Sequence, residues 1–167
     1  MEKQKTIINV LYFLIVLSTI LSFTPYALGQ IISLVLIIVA LIGAYMYRMK
    51  DNEDGLLYNH MTYMIGTIWI GTSFILLGCM IMGLWVYLYG DQSVIMNVIV
   101  QLESGTMMSE AQLNDYTHQY IQSNQSLLIK ASLIGVGPAI LYFVYRVANG
   151  IARAGKGYRI ANPKSWL

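Results

Sequence analysis

Charged residues are scarce in this chain: Asp, Glu, Lys and Arg make up only 11% of its 167 positions. An ordinary soluble domain carries about 25%, whereas 57% of this chain is hydrophobic. These few charges cannot cover a water-soluble globule of this composition, so we expect lipid to solvate part of the surface. The net charge of +2 gives no support for a nucleic-acid partner.

Cysteine and proline are also rare. The single cysteine, Cys79, has no second cysteine to pair with, so an internal disulfide is excluded. The chain has three prolines and no Pro-rich or Gly/Ser-rich linker that divides it. We therefore predict a single membrane domain over residues 1–167.

Long apolar runs are abundant. A helix needs about 20 apolar residues to cross the hydrocarbon layer, where only helical backbone satisfies its own N–H and C=O groups. The runs predict transmembrane spans over residues 7–24, 31–48, 61–89 and 127–147. The predicted fold class is therefore all-α, an integral membrane protein with four transmembrane helices. Gly137-Pro138 is expected to kink the fourth.

The first span has an alternative interpretation as a secretory signal. Lys3 and Lys5 precede it, and Ala27-Leu28-Gly29 resembles a cleavage site. The apolar run is longer than the roughly 7–15 residues of a signal core, and a second apolar run follows almost at once. We favour a retained span.

The distribution of Lys and Arg predicts the orientation. If the N-terminus is cytoplasmic, nine cations lie inside and Lys130 alone lies outside. Both termini are then cytoplasmic, and the polar segment 90–126 is an extracytoplasmic insertion between the third and fourth spans. The inner cations are Lys3, Lys5, Arg48, Lys50, Arg146, Arg153, Lys156, Arg159 and Lys164.

The C-terminal tail, residues 148–167, imitates a nucleotide-binding loop. Its Gly150 to Gly157 stretch reads G-x-x-x-x-G-K-G, but a phosphate loop follows a strand and ends in Ser or Thr. We therefore expect no nucleotide there. The glycines should loosen or end the helix, and the cations should bind anionic lipid head groups. The expected head-group contacts are Arg153, Lys156, Arg159 and Lys164.

Three short motifs stand at separate places in the chain. T-[FI]-W-x-G matches Thr67 to Gly71, R-[IV]-x-x-G matches Arg146 to Gly150, and N-P-x-S-W matches Asn162 to Trp166. With these motifs, residues 51–89 and 141–167 resemble a family of small multi-span bacterial inner-membrane proteins of unknown function. The long segment before the last span departs from that family. The resemblance implies a multi-pass protein of the bacterial inner membrane and no particular activity.

Patterns that would carry catalysis are missing from the sequence. No ionisable residue stands in the middle of a predicted span, which argues against a proton-coupled transporter or a membrane-embedded acid/base enzyme. His60 and His118 fall on opposite sides of the membrane and cannot share a metal. We predict no enzymatic activity, no cofactor and no metal.

Small residues recur at four-residue spacing in the last two spans, where they allow helix backbones to approach closely. The strips serve either packing among the four helices, which we favour, or docking of another subunit. The candidate helix-packing residues are Thr67, Gly71, Cys79, Gly83, Ala131, Gly135 and Ala139.

The insertion 90–126 is the most plausible place for specific recognition. Its first half has apolar residues at helical spacing, although its Val and Ile content leaves a strand possible. Ser109 and Gln112 predict a capping box that opens a second helix. One face of that helix either packs on the bundle or binds a partner; its residues are Leu113, Tyr116, Tyr120 and Ile121.

The function that these features favour is non-enzymatic. We expect an accessory or assembly subunit of the inner membrane that acts through protein contacts in the membrane and through the insertion. The alternative is a small oligomeric channel or transporter. The expected partners are the lipid bilayer and either an envelope protein or further copies of the chain, with no nucleic acid.

Overall fold

The computed structural model describes residues 2–105 and 107–166. These residues form six α-helices and contain no strand, so the predicted all-α class is confirmed. The helices are α1 (Glu2–Ser22), α2 (Ala27–Arg48), α3 (Leu56–Tyr89), α4 (Ser93–Glu103), α5 (Glu110–Gly135) and α6 (Gly137–Lys156).

Three of the helices, α1, α2 and α3, are long and apolar enough to cross a membrane. Helices α5 and α6 pass the same test together, although they are bent by 41° at the break between them. The chain thus has three such helices, or four spans if the bent pair counts as one. The break lies beside Pro138, as predicted, because proline lacks a backbone donor and fits only the first turn of α6. The predicted span 127–147 is therefore divided between two helices.

The chain divides into two compact units. The first unit contains Met1–Ser73 and Leu141–Leu167, and the second unit contains Phe74–Ile140. The apolar core lies in the first unit, where α1, α2, α3 and α6 contribute buried side chains. These are Ile8, Leu11, Tyr12, Ile15, Ala40, Ala44, Leu57, Met61, Met64, Ile65, Ile68, Val147 and Ala154.

A reciprocal pair of serine hydrogen bonds joins α1 to α2. The Ser18 hydroxyl donates to the carbonyl of Ser33 (2.8 Å), and the Ser33 hydroxyl donates to the carbonyl of Ser18 (2.7 Å). Both side chains are buried. Small polar residues of this kind let two apolar helices pack closely while every hydroxyl keeps a partner.

Cations gather at one end of the first unit. Arg159 forms an ion pair with Asp54 (3.7 Å), and a Cβ added to Gly157 would lie 2.6 Å from the Lys5 Cε. The beginnings of α1 and α3 therefore lie beside the end of α6.

The second unit contains the insertion. Its first half is the helix α4, so the alternative strand is wrong, and α4 packs against α5 as a hairpin. The predicted capping box is present: Ser109 Oγ accepts from the Gln112 N–H (3.3 Å), and Gln112 Oε1 accepts from the Ser109 N–H (2.9 Å).

A buried asparagine fixes the turn between α3 and α4. Asn124 Oδ1 accepts from the Asp91 N–H (2.7 Å), and Asn124 Nδ2 donates to the Asp91 carbonyl (3.1 Å). The Asp91 carboxylate in turn accepts from the Ser93 N–H (2.9 Å). This hydrogen bond stabilises the charged form and lowers the pKa of Asp91.

A buried arginine and a docked C-terminal tail

The polar face of α6 is turned into the first unit. Tyr142, Arg146, Asn149 and Arg153 recur three or four residues apart, so they stand on one side of the helix. Arg146 has 0% exposure, and the other three are partly buried. Polar residues of membrane helices usually face the interior of the bundle in this way.

Arg146 is held by neutral groups. Its Nε donates to Thr67 Oγ1 (3.1 Å), its Nη2 to the Tyr63 carbonyl (3.4 Å) and its Nη1 to the Ser165 carbonyl. The guanidinium also lies over the Tyr63 ring, 3.8 Å from the centroid. No carboxylate of residues 2–105 and 107–166 lies within ion-pair distance of it. Its charge is thus balanced by carbonyl dipoles, one hydroxyl and aromatic faces.

The helix that carries Arg146 extends beyond the end of the predicted span 127–147. Sequence analysis ended the last span near Val147 and placed Arg146 at the membrane edge. The helix instead continues to Lys156, so Arg146 lies midway along α6. Gly150 does not end the helix, because it is the site where α6 approaches Tyr12 and where a Cβ would overlap the phenol.

Gly157 directly follows the last residue of α6 and terminates the helix. This glycine has a φ of +73°, its N–H donates to the Ala154 carbonyl (2.9 Å), and the Tyr158 N–H donates to the Arg153 carbonyl (2.9 Å). Both bonds are those of a Schellman motif, which requires left-handed backbone that glycine adopts readily. The chain then reverses into residues 158–166, called here the docked tail.

Asn59 and His60 hold the start of the docked tail. Asn59 Nδ2 donates to the Ile160 carbonyl (3.0 Å), and Asn59 Oδ1 accepts from the Ile160 N–H (2.7 Å). His60 Nε2 lies 3.0 Å from the Tyr158 carbonyl. A carbonyl only accepts, so Nε2 carries the hydrogen and Nδ1 accepts from the Tyr12 hydroxyl (3.4 Å). His60 is therefore a buried residue that links α1 to the docked tail.

A turn holds the end of the docked tail. The Ser165 N–H donates to the Asn162 carbonyl (3.1 Å), and Pro163 occupies the second turn position, which suits its fixed φ. This turn brings the Ser165 carbonyl to Arg146. The motif Asn162 to Trp166 thus closes the tail onto the buried arginine.

Two of the four predicted head-group cations bind protein groups. Arg153 donates to the Arg159 carbonyl (3.1 Å) and to Asn149 Oδ1 (3.4 Å), and Arg159 pairs with Asp54. Lys156 and Lys164 are exposed. The tail is therefore folded onto the first unit, and only part of its charge faces outward.

The predicted packing residues fall into two groups. Thr67, Ala131 and Ala139 are buried, Gly71 lies against Phe143, and Gly135 lies against Gly78. Cys79 is exposed, and a Cβ added to Gly83 would meet nothing within 4 Å. The sequence patterns did not identify Gly78, where the backbones of α3 and α5 approach each other at Gly135.

Three of the four predicted partner-binding residues line a groove in the second unit. The groove has a volume of about 260 Å³ and lies between α4 and α5, and Leu113, Tyr116 and Tyr120 contribute to its wall. Gln101 of α4 donates to the Tyr116 hydroxyl (2.7 Å). Ile121 is exposed outside the groove. The predicted face is therefore partly covered by α4.

The described part of the chain has no group of three or more His, Cys, Asp or Glu side chains placed to hold a metal. Comparison with protein-family models, with curated proteins and with solved structures finds no match.

Proposed function

We propose that this protein is a membrane-embedded accessory or assembly subunit that acts through protein contacts. The observation that carries the proposal is the α4–α5 hairpin. Its helix α4 has no buried residue, and Leu113 and Ile121 of α5 are each 47% exposed. Apolar side chains exposed around a groove on a polar segment are typical of a protein-binding surface.

The proposed setting is the bacterial inner membrane, with the bent α5–α6 pair as a fourth span. The predicted insertion, residues 90–126, which contains α4 and the first part of α5, then lies outside the cytoplasm, and both termini are cytoplasmic. The cations gathered at one end of the first unit support this orientation. The resemblance to small bacterial inner-membrane proteins, carried by Thr67 to Gly71 and Asn162 to Trp166, supports the location.

Topology reporters test this setting. Alkaline phosphatase inserted after Gln112 is expected to be active, because the insertion is proposed to lie outside, and a fluorescent protein fused to the C-terminus is expected to fold in the cytoplasm. The same two reporters exchanged between the two positions provide the control. If both positions report the same side, the proposal of four spans is wrong.

The proposed occupant of the groove is an apolar helix of another envelope protein. A photo-reactive phenylalanine analogue at Leu113 is expected to give a covalent adduct with that protein in cells, because Leu113 lines the groove and is half-exposed. The same analogue at His118, on the polar face of α5, is the matched control. Equal adducts from both positions, or none from Leu113, would contradict the proposal.

The second candidate is a small oligomeric channel or transporter, and Arg146 favours it. A buried ionisable residue in a membrane span marks an ion or substrate pathway more often than a buried neutral residue does. Because no described carboxylate neutralises Arg146, such a pathway would suit an anion. An adduct between two copies of this chain, together with anion flux in liposomes, would favour this candidate over the accessory subunit.

A further inference from the structure

The cationic end of the first unit contains an open cavity. The cavity has a volume of about 600 Å³ and lies between the turn that joins α2 to α3 and the docked tail. Its wall carries charges of both signs: the cations are Arg153, Arg159 and Lys164, and the carboxylates are Glu53 and Asp54.

These charges are available to a ligand. The ion pair between Arg159 and Asp54 is long, at 3.7 Å, and their side chains are 48% and 98% exposed. An exposed pair of this kind contributes little to stability. Glu53 and Lys164 are exposed as well. A ligand with separate positive and negative groups would therefore replace a weak contact with two stronger ones.

Aromatic and cationic side chains place the cavity at the level of lipid head groups. Arg48 lies over the Tyr58 ring at 5.2 Å, and Lys50 lies over the Tyr47 ring at 5.7 Å. Tyrosines and cations at the ends of apolar helices are typical of the membrane–water interface. Tyr58 also lines the cavity, so a lipid head group would lie at the same depth.

We propose that this cavity binds the phosphoethanolamine head group of a phospholipid. The phosphate accepts charge-assisted hydrogen bonds from Arg159 and Lys164, and the primary ammonium donates to Glu53 and Asp54. A glycerol head group places no cation beside the carboxylates, and a choline head group has no N–H to donate. This inference rests on the proposed membrane insertion.

Native mass spectrometry of the full chain in mild detergent tests the site. We expect phosphatidylethanolamine to be retained about tenfold better than phosphatidylglycerol or phosphatidylcholine, because only its ammonium donates charge-assisted hydrogen bonds to the carboxylates. The double variant Glu53→Gln with Asp54→Asn should lose that preference. Lys164→Gln should weaken retention of both phosphatidylethanolamine and phosphatidylglycerol. Lys50→Gln, at the same end but outside the cavity, is the matched control.

Three results would overturn the inference. Equal retention of the three lipids, or an unchanged preference in the double variant, would exclude the phosphoethanolamine site. Equally tight binding of soluble glycerophosphoethanolamine would exclude a membrane lipid as the source of the ligand. The reporters at Gln112 and the C-terminus and the adduct at Leu113 do not depend on Glu53, Asp54 or Lys164. These experiments therefore distinguish a failure of the proposed function from a failure of the head-group site.

Discussion

Replacing Gly78 with alanine is expected to force α3 and α5 apart. A Cβ at Gly78 would overlap the Gly135 carbonyl oxygen and lie 2.7 Å from its carbonyl carbon. Both neighbours are backbone atoms, so no side-chain rotation relieves the overlap and the helices themselves must move. We expect a loss of about 3 kcal/mol, which corresponds to a decrease of about 10 °C in the thermal unfolding midpoint. Tryptophan fluorescence in detergent measures it, since Trp85 lies on α3 in the second unit.

Gly83→Ala on the same helix is the matched control. A Cβ there meets nothing within 4 Å, and alanine is a better helix former than glycine by about 1 kcal/mol. The midpoint of this variant should therefore stay unchanged or rise slightly. Gly135→Ala should reproduce the effect of Gly78→Ala, because its Cβ would lie 2.5 Å from the Gly78 carbonyl oxygen. Equal midpoints for Gly78→Ala and Gly83→Ala would show that the contact is not tight.

The helices could be predicted from the sequence because apolar length and local signals determine them. Each apolar run is long enough to cross the hydrocarbon layer as a helix. Proline interrupts a helix because it lacks a backbone donor, a capping box begins one, and a glycine can terminate one. The break beside Pro138, the box at Ser109 and the end at Gly157 are local in this sense. Boundaries were less exact: the third span, predicted from residue 61, begins at Leu56.

The contact between Gly78 and Gly135 could not be predicted from residue spacing alone. Helix α3 has small residues at four-residue spacing at Thr67 and Gly71 and again at Cys79 and Gly83, whereas no small residue stands four positions from Gly78. The neighbouring helix determines which face of α3 forms the contact. In the structure Gly78 lies against Gly135, while Cys79 is exposed. Sequence spacing identifies helices that can pack closely, but it does not give their rotation.

The contact between Arg146 and the docked tail could not be predicted from the sequence for a different reason. The docked tail is bound mostly through its backbone carbonyl and N–H groups, at Tyr158, Ile160 and Ser165. Such contacts leave no signature in residue type on the tail. The side chains of α6 do show a pattern, because Arg146, Asn149 and Arg153 recur at helical spacing. That pattern can be recognised once α6 is known to continue past Gly150.

Replacing Arg146 with alanine is expected to destabilise the first unit and to release the docked tail. The change removes three hydrogen bonds and the stack on Tyr63, and it leaves a cavity beside buried acceptors. We expect a loss of about 3–5 kcal/mol and faster trypsin cleavage after Arg159 and Lys164. The unfolding midpoint and the mass of the cleaved chain measure the two effects.

Arg146→Met separates packing from tail binding. Methionine fills most of the volume but donates no hydrogen bond, so it should restore part of the stability while the hydrogen bond from residue 146 to the Ser165 carbonyl is lost. Arg48→Ala is the matched arginine control; Arg48 is partly exposed and makes one long hydrogen bond, 3.4 Å to Tyr58, so its loss should cost less than about 1 kcal/mol. If Arg146→Met kept the tail as resistant to trypsin as the unchanged chain, the contacts of Asn59, His60, Arg153 and Asp54 would be enough to hold it. The buried charge would then require a reason other than tail docking, and the anion pathway would gain support.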